Sequence, residues 1–96
     1  MFSKKLEKIA KEMGAEYTLV PLPNTTRQMF CQRITKRFRW GTLVVDVTPS
    51  TLCGTPAYLI KKRYEYADYR TPNETSFAAI SKRERNKKVR ELLLAP

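Results

Sequence analysis

Leu6, Ile9, Ala10 and Met13 recur at i, i+3, i+4 and i+7, with Lys4, Lys5, Glu7, Lys8, Lys11 and Glu12 filling the positions between them. That spacing predicts an amphipathic helix, for which Ser3 supplies an N-cap and Gly14 a stop. An apolar stripe of four residues suits the lid of a small core better than a membrane surface. The stretch EYTLVPLP over 16–23 is rich in strand formers and ends on Pro21 and Pro23, which cannot donate to a central ladder, so it reads as a short edge strand.

Residues 25–38 fit two periods at once. Phe30, Ile34 and Phe38 recur every four residues and Thr25-x-x-Gln28 matches a capping box, yet the same apolar positions also lie on one face of an alternating strand. Gly41-Thr42 directly before the β-branched run TLVVDV argues for a hairpin over about 34–48, turning at 41–42 in type II′ geometry. Residues 25–33 then form either a strand extension or a helical turn. This register pairs Trp40 with Leu43, Phe38 with Val45, Lys36 with Val47, Arg39 with Val44, and Arg37 with Asp46. Phe38 and Trp40 accordingly count as core.

TPSTLCGTP over 48–56 carries Pro49, Gly54 and Pro56 and reads as a loop. AYLIKKRYEYADY follows as a third long strand, with Tyr58, Ile60, Lys62, Tyr64 and Tyr66 on one face and Ala57, Leu59, Lys61, Arg63 and Glu65 on the other. Thr71-Pro72-Asn73-Glu74 has the chemistry of a helix start, and Phe77 and Ile80 would pack that helix on the sheet. From Lys82 to Arg90 charges lie on nearly every side, and Val89, Leu92 and Leu93 then make a second small apolar patch. Residues 82–96 are therefore expected to form a basic, protruding C-terminal helix. The expected architecture is α+β: a small antiparallel sheet of three to four strands flanked by N- and C-terminal helices.

The order of a helix, three antiparallel strands and a helix opened by basic residues resembles in layout the double-stranded RNA-binding domain, which grips phosphates by shape. The chain departs from that pattern in having neither a Gly-rich loop leading into a Ser-Lys-Lys helix start nor an Ala-rich final helix, so the likeness stops at layout.

Length and charge narrow the function classes. At 96 residues the chain suits one small domain, 1–96. Nineteen Lys and Arg against nine Asp and Glu give a net charge of +10. The excess is spread over both halves of the chain, so it is more than a basic tail. Such a surface attracts phosphate polymers before any specific contact forms.

Catalysis has little to work with: there is no His, and no carboxylates fall in a paired or metal-binding spacing. Asp46 with Lys61 is the least implausible catalytic pair, as in a minimal nuclease, but Arg37 already accounts for Asp46 in the hairpin, and the chain is read as a non-enzyme. Cys31 and Cys53, in no CxxC spacing, leave a single disulfide between them open but favour free buried thiols in a reducing compartment, without metal or cofactor. No apolar run approaches the roughly 20 residues of a membrane span, and the charged N-terminus lacks a signal-peptide core, so a soluble cytoplasmic protein is expected.

The leading expectation is a nucleic-acid-binding protein, for DNA or RNA, contacting mainly the phosphate backbone with little sequence specificity. Its contacts are assigned to Arg33, Arg37 and Arg39, to Lys61, Lys62 and Arg63, and to Lys82, Arg83, Arg85, Lys87 and Lys88, with Tyr64 and Tyr66 as stacking groups. The rival is a virus- or phage-encoded inhibitor or adaptor that docks on an acidic surface of a host protein through Val89, Leu92 and Leu93. Self-association into a homo-oligomer is a further use of that patch.

Overall fold

The computed structural model describes residues 3–22, 29–66 and 74–94. In chain order these form α1 (Lys4–Glu12), β1 (Glu16–Pro21), β2 (Phe30–Phe38), β3 (Gly41–Leu52), β4 (Thr55–Tyr66), β5 (Glu74–Ala79) and α2 (Lys82–Leu94). The class is α+β as expected, but the sheet has five strands, all antiparallel and in sequence order. The extra strand is β5, where the sequence promised a helix. Of that start signal, Thr71, Pro72 and Asn73 lie outside the described residues, while Glu74 opens a strand whose Phe77 pairs with Ile60 and whose Ala79 pairs with Tyr58. Ile80, expected to pack on the sheet, is exposed.

The helix begins ten residues later than that signal, at Lys82, behind a capping box of its own. Ser81 Oγ accepts from the Glu84 amide at 3.1 Å, and the Glu84 carboxylate accepts from the Ile80 amide at 3.1 Å. At the other end of the chain α1 matches its pattern. Ser3 Oγ accepts from the Leu6 amide at 3.2 Å, and Leu6, Ile9 and Ala10 are buried.

The β2–β3 hairpin keeps its expected faces but not its register. Phe38 pairs with Gly41, Lys36 with Leu43, Ile34 with Val45 and Arg33 with Asp46, so the two-residue turn is Arg39-Trp40. Gly41 then starts β3 at φ +146°, a backbone region open essentially only to glycine. The pairing differs from the expected one by an even number of residues, so every side chain stays on its face while each changes its partner. β2 runs as a strand from Phe30; Thr25 and Gln28, which suggested a helix, lie outside the described residues.

The segment read as a loop over 48–56 is instead the tip of a long hairpin. β3 and β4 pair from Gly41↔Tyr66 out to Leu52↔Thr55, and they close on Cys53 and Gly54, both at positive φ (51° and 79°) as a type I′ turn requires. Past Val47 on one side and Tyr58 on the other, pairing with the neighbouring strands has ended. The ribbon has two free edges there, which tolerate Pro49 and Pro56.

Both helices pack on one face of the sheet. Leu6, Ile9 and Ala10 of α1 and Val89, Leu92 and Leu93 of α2 close over Ile34, Leu43, Val45, Val47, Ile60 and Ala79. The C-terminal helix is therefore docked and does not protrude. Its buried stripe is Arg85, Val89, Leu92 and Leu93, a helical i, i+4, i+7, i+8 pattern whose first member is an arginine. At the far end of α2 Lys36 Nζ donates to the Leu93 carbonyl at 3.3 Å, which places a cation at the negative end of the helix.

Candidate nucleic-acid interface

The sheet divides the charged residues into two populations. On the face without helices, β2 presents Arg33 and Arg37, β4 presents Lys61 and Arg63, and acidic residues stand among them: Glu16 on β1, Asp46 on β3, Glu65 on β4 and Glu74 on β5. Arg33 grips Asp46 with both ends of the guanidinium, Nε to Oδ1 at 2.8 Å and Nη2 to Oδ2 at 3.1 Å. Arg63 stands 3.8 Å from the same carboxylate and donates to Glu65 Oε1 at 2.9 Å. The Arg33 guanidinium titrates above its ordinary range, chiefly because of its hydrogen bond to Asp46. Among the described strand residues, four basic side chains facing four acidic ones leave this face with no net charge, and its two best-placed arginines are already bonded to carboxylates. Its middle is also closed, since Val44 and Cys31 are buried beneath the longer side chains.

The helical side is different. α1 carries Lys4, Lys5, Lys8 and Lys11 against Glu7 and Glu12, and α2 carries Lys82, Arg83, Arg85, Lys87, Lys88 and Arg90 against Glu84 and Glu91. Three of these acids bridge back into the layer: Arg90 meets Glu12 at 3.1 Å, tying the helices together, Lys88 lies 3.9 Å from Glu91, and Lys11 lies 4.0 Å from Glu7. Lys4, Lys5, Lys8, Lys11, Lys82, Arg83 and Lys87 are all exposed. Ten basic side chains against four acidic ones on two adjacent helices make this the electropositive surface of the molecule.

The residues singled out from sequence are thus not one site. Lys82, Arg83 and Lys87 lie free on the helical layer. Lys88 is half-buried over the Phe77 ring, 4.0 Å from its centre. Lys62 also belongs to the helix-bearing face, 4.9 Å over Tyr64. Arg33, Arg37, Lys61 and Arg63 are on the opposite face, and Arg39 is exposed in the β2–β3 turn.

Arg85 is buried at 4% exposure. Its guanidinium lies 4.8 Å from the centre of the Tyr58 ring, and it donates to Asn86 Oδ1 at 3.0 Å and to Ser3 Oγ at 3.3 Å. Burial lowers its pKa from the ordinary value, with Tyr58 and Tyr17 acting against that.

Tyr64 and Tyr66 are half-buried with Phe38 and Trp40 in one aromatic group. Trp40 stacks on Phe38 with centres 5.1 Å apart and meets Tyr64 at 5.4 Å and Tyr66 at 5.8 Å. Phe38, Trp40 and Tyr64 pack against the core, as expected for the first two. Val89, Leu92 and Leu93 fill the core and are withdrawn as a docking patch: Val89 and Leu93 have no exposed surface.

Sequence reasoning missed the lysines of α1. Their alternation with apolar residues marked them as the wet side of a lid, and nothing in a linear reading puts Ser3 against Arg85 or Glu12 against Arg90. Cys31 and Cys53 are free thiols, and no cluster of His, Cys, Asp or Glu suited to a metal occurs among the described residues. No helix of the described residues is long and apolar enough to cross a membrane. Compared with protein-family models, curated proteins and solved structures, the chain matches none of them.

Proposed function

We propose that the protein binds nucleic acid through its helical layer, by contacts to the phosphate backbone that carry little sequence information. The observation that supports this is the segregation of charge. A sheet face with as many acids as bases stands opposite two helices carrying ten basic and four acidic residues. Uncompensated charge held on one side of so small a body opposes folding by self-repulsion, and a polyanion laid across it relieves that repulsion while releasing its own counterions.

The contact set differs from the one expected from sequence. Lys5, Lys8 and Lys11 of α1 join Lys82, Arg83 and Lys87 of α2, while Arg33 and Arg63 serve the sheet. With about five phosphates neutralised, the logarithm of affinity for duplex DNA falls against the logarithm of salt concentration with a slope near −4 to −5. Titrating labelled duplex DNA, single-stranded DNA and RNA across several salt concentrations tests this. Absence of binding at low salt ends the proposal.

The rival reading, docking on an acidic protein surface, draws on the same charge but has lost its apolar anchor to the core. A partner retained in pull-downs after nuclease treatment would favour it.

A further inference from the structure

The N-terminal ends of the two helices meet over the sheet and, with Gln32, Pro49 and Tyr58 of the strands, line an open cleft of about 460 Å³ to which they contribute Ser3, Lys4, Lys5, Lys82 and Arg85. Four of these residues are cationic, and none is acidic. Arg85 is the unusual member. It is almost wholly buried, and its neighbours, Asn86, Ser3 and Tyr58, are all neutral. A buried guanidinium without a counter-charge is costly to keep, and among the described residues no carboxylate is bonded to it. The polar frame around it is tied in place: Tyr17 Oη accepts from the Ser3 amide at 3.3 Å and donates to Gln32 Oε1 at 2.5 Å. At this same end of α1 the Leu6 amide is taken by Ser3 Oγ, while the amides of Lys4 and Lys5 have no acceptor within their own helix.

We infer that this cleft is a binding site for a phosphomonoester group. A monoester carries close to two negative charges near neutral pH and presents three strong acceptor oxygens, which suits four cations and a helix N-terminus better than the single charge of a phosphodiester in a chain. Two sources offer that chemistry, the 5′-terminal phosphate of a nucleic-acid strand and a small phosphorylated metabolite. The site does not depend on the proposed binding of a polymer across the outer surface of the helices. Glu84, which caps α2, does not line the cleft.

The test uses the whole protein in two arms. In the first, a short single-stranded oligonucleotide is titrated with and without a 5′-phosphate; in the second, adenosine 5′-monophosphate is titrated against adenosine. The expected result is a preference of about tenfold for the phosphorylated member of at least one pair. A preference in the oligonucleotide arm, with or without one in the mononucleotide arm, identifies a strand end as the source, and a preference for the mononucleotide alone identifies a small molecule. The Lys4→Gln/Lys82→Gln double variant, at exposed positions that leave the core intact, abolishes the preference. Arg85→Met does the same where it folds.

Equal binding of the phosphorylated and unphosphorylated members in both arms overturns the inference, as does a preference that survives the double lysine substitution. Failure to bind duplex DNA together with retained preference for the mononucleotide would remove the proposed polymer binding and leave this site standing.

Discussion

The two faces of the sheet carry the same residue types to opposite ends. On the open face Asp46, with its side chain 13% exposed, lies between Arg33 and Arg63, and Glu65 takes the other side of Arg63, so cations there act as cross-links between strands. On the helical face Lys4, Lys5, Lys8, Lys82, Arg83 and Lys87 stand out into solvent, none of them paired with a carboxylate among the described residues. A count of Lys and Arg along the chain cannot tell these two uses apart, because what separates them is the distance to the nearest carboxylate.

The contrast can be broken from either side. The largest effect is expected beneath the helical layer. Leu93→Ala removes a wholly buried side chain from the contact between α2 and the sheet and costs about 3 kcal/mol by denaturant unfolding. A docking residue on the surface would cost almost nothing, so a loss under about 0.5 kcal/mol returns the terminal patch to the surface.

Next comes the charge of the helices. Lys8→Gln, Arg83→Gln and Lys87→Gln together reduce the salt slope for duplex DNA by about 2.5 and weaken binding at low salt by tens of fold, with folding stability unchanged or raised. Arg37→Gln with Lys61→Gln, which removes two charges from the open face, shifts binding by less than about threefold. Equal losses from the two variants would mean that the faces do not differ.

A smaller effect, in stability alone, belongs to the open face. Asp46→Asn deprives Arg33 and Arg63 of their shared acceptor and costs about 2 kcal/mol, with nucleic-acid affinity unchanged or slightly increased. Affinity falling in step with stability would place the nucleic acid on this face.

The smallest effect is on pH dependence. Burial raises the pKa of the Cys31 thiol, with the Asp46 charge adding to the rise, and burial also raises that of Tyr17. The folded state therefore holds these protons more tightly than the unfolded chain. The stability this confers is complete below the ordinary thiol pKa, about 8.5, and is lost as pH rises through the raised native values. Unfolding midpoints followed from pH 7 to 10 should decline, and the decline should be shallower in Cys31→Ala. A thiol reagent should label Cys53 well before Cys31; equal rates would contradict the burial of Cys31.

Local patterns settled much of this protein. The α1 stripe with its Ser3 cap, the edge position of β1, the alternation of β2, β3 and β4, and the grouping of Phe38 and Trp40 with the aliphatic face all follow from side-chain periodicity, which acts over a few residues. The capping box at Ser81 and Glu84 was equally local, but an earlier signal of the same kind at Thr71 masked it, and the strand pairing of Glu74–Ala79 with β4 overrode that signal.

The tertiary structure decided what depends on neighbours distant in sequence. A hairpin slipped by an even number of residues buries the same face, so periodicity could not choose Arg33 over Arg37 as the partner of Asp46; only the assembled sheet does. Arg85 broke the apolar stripe of α2 and hid its continuity with Val89, Leu92 and Leu93, because a cation becomes tolerable in that position only when Tyr58, Ser3 and Asn86 surround it. The sum of the charge was visible in the chain. Its division into a neutral sheet face and a basic helical layer was not, since ion pairing is set by distances across the sheet and between the helices.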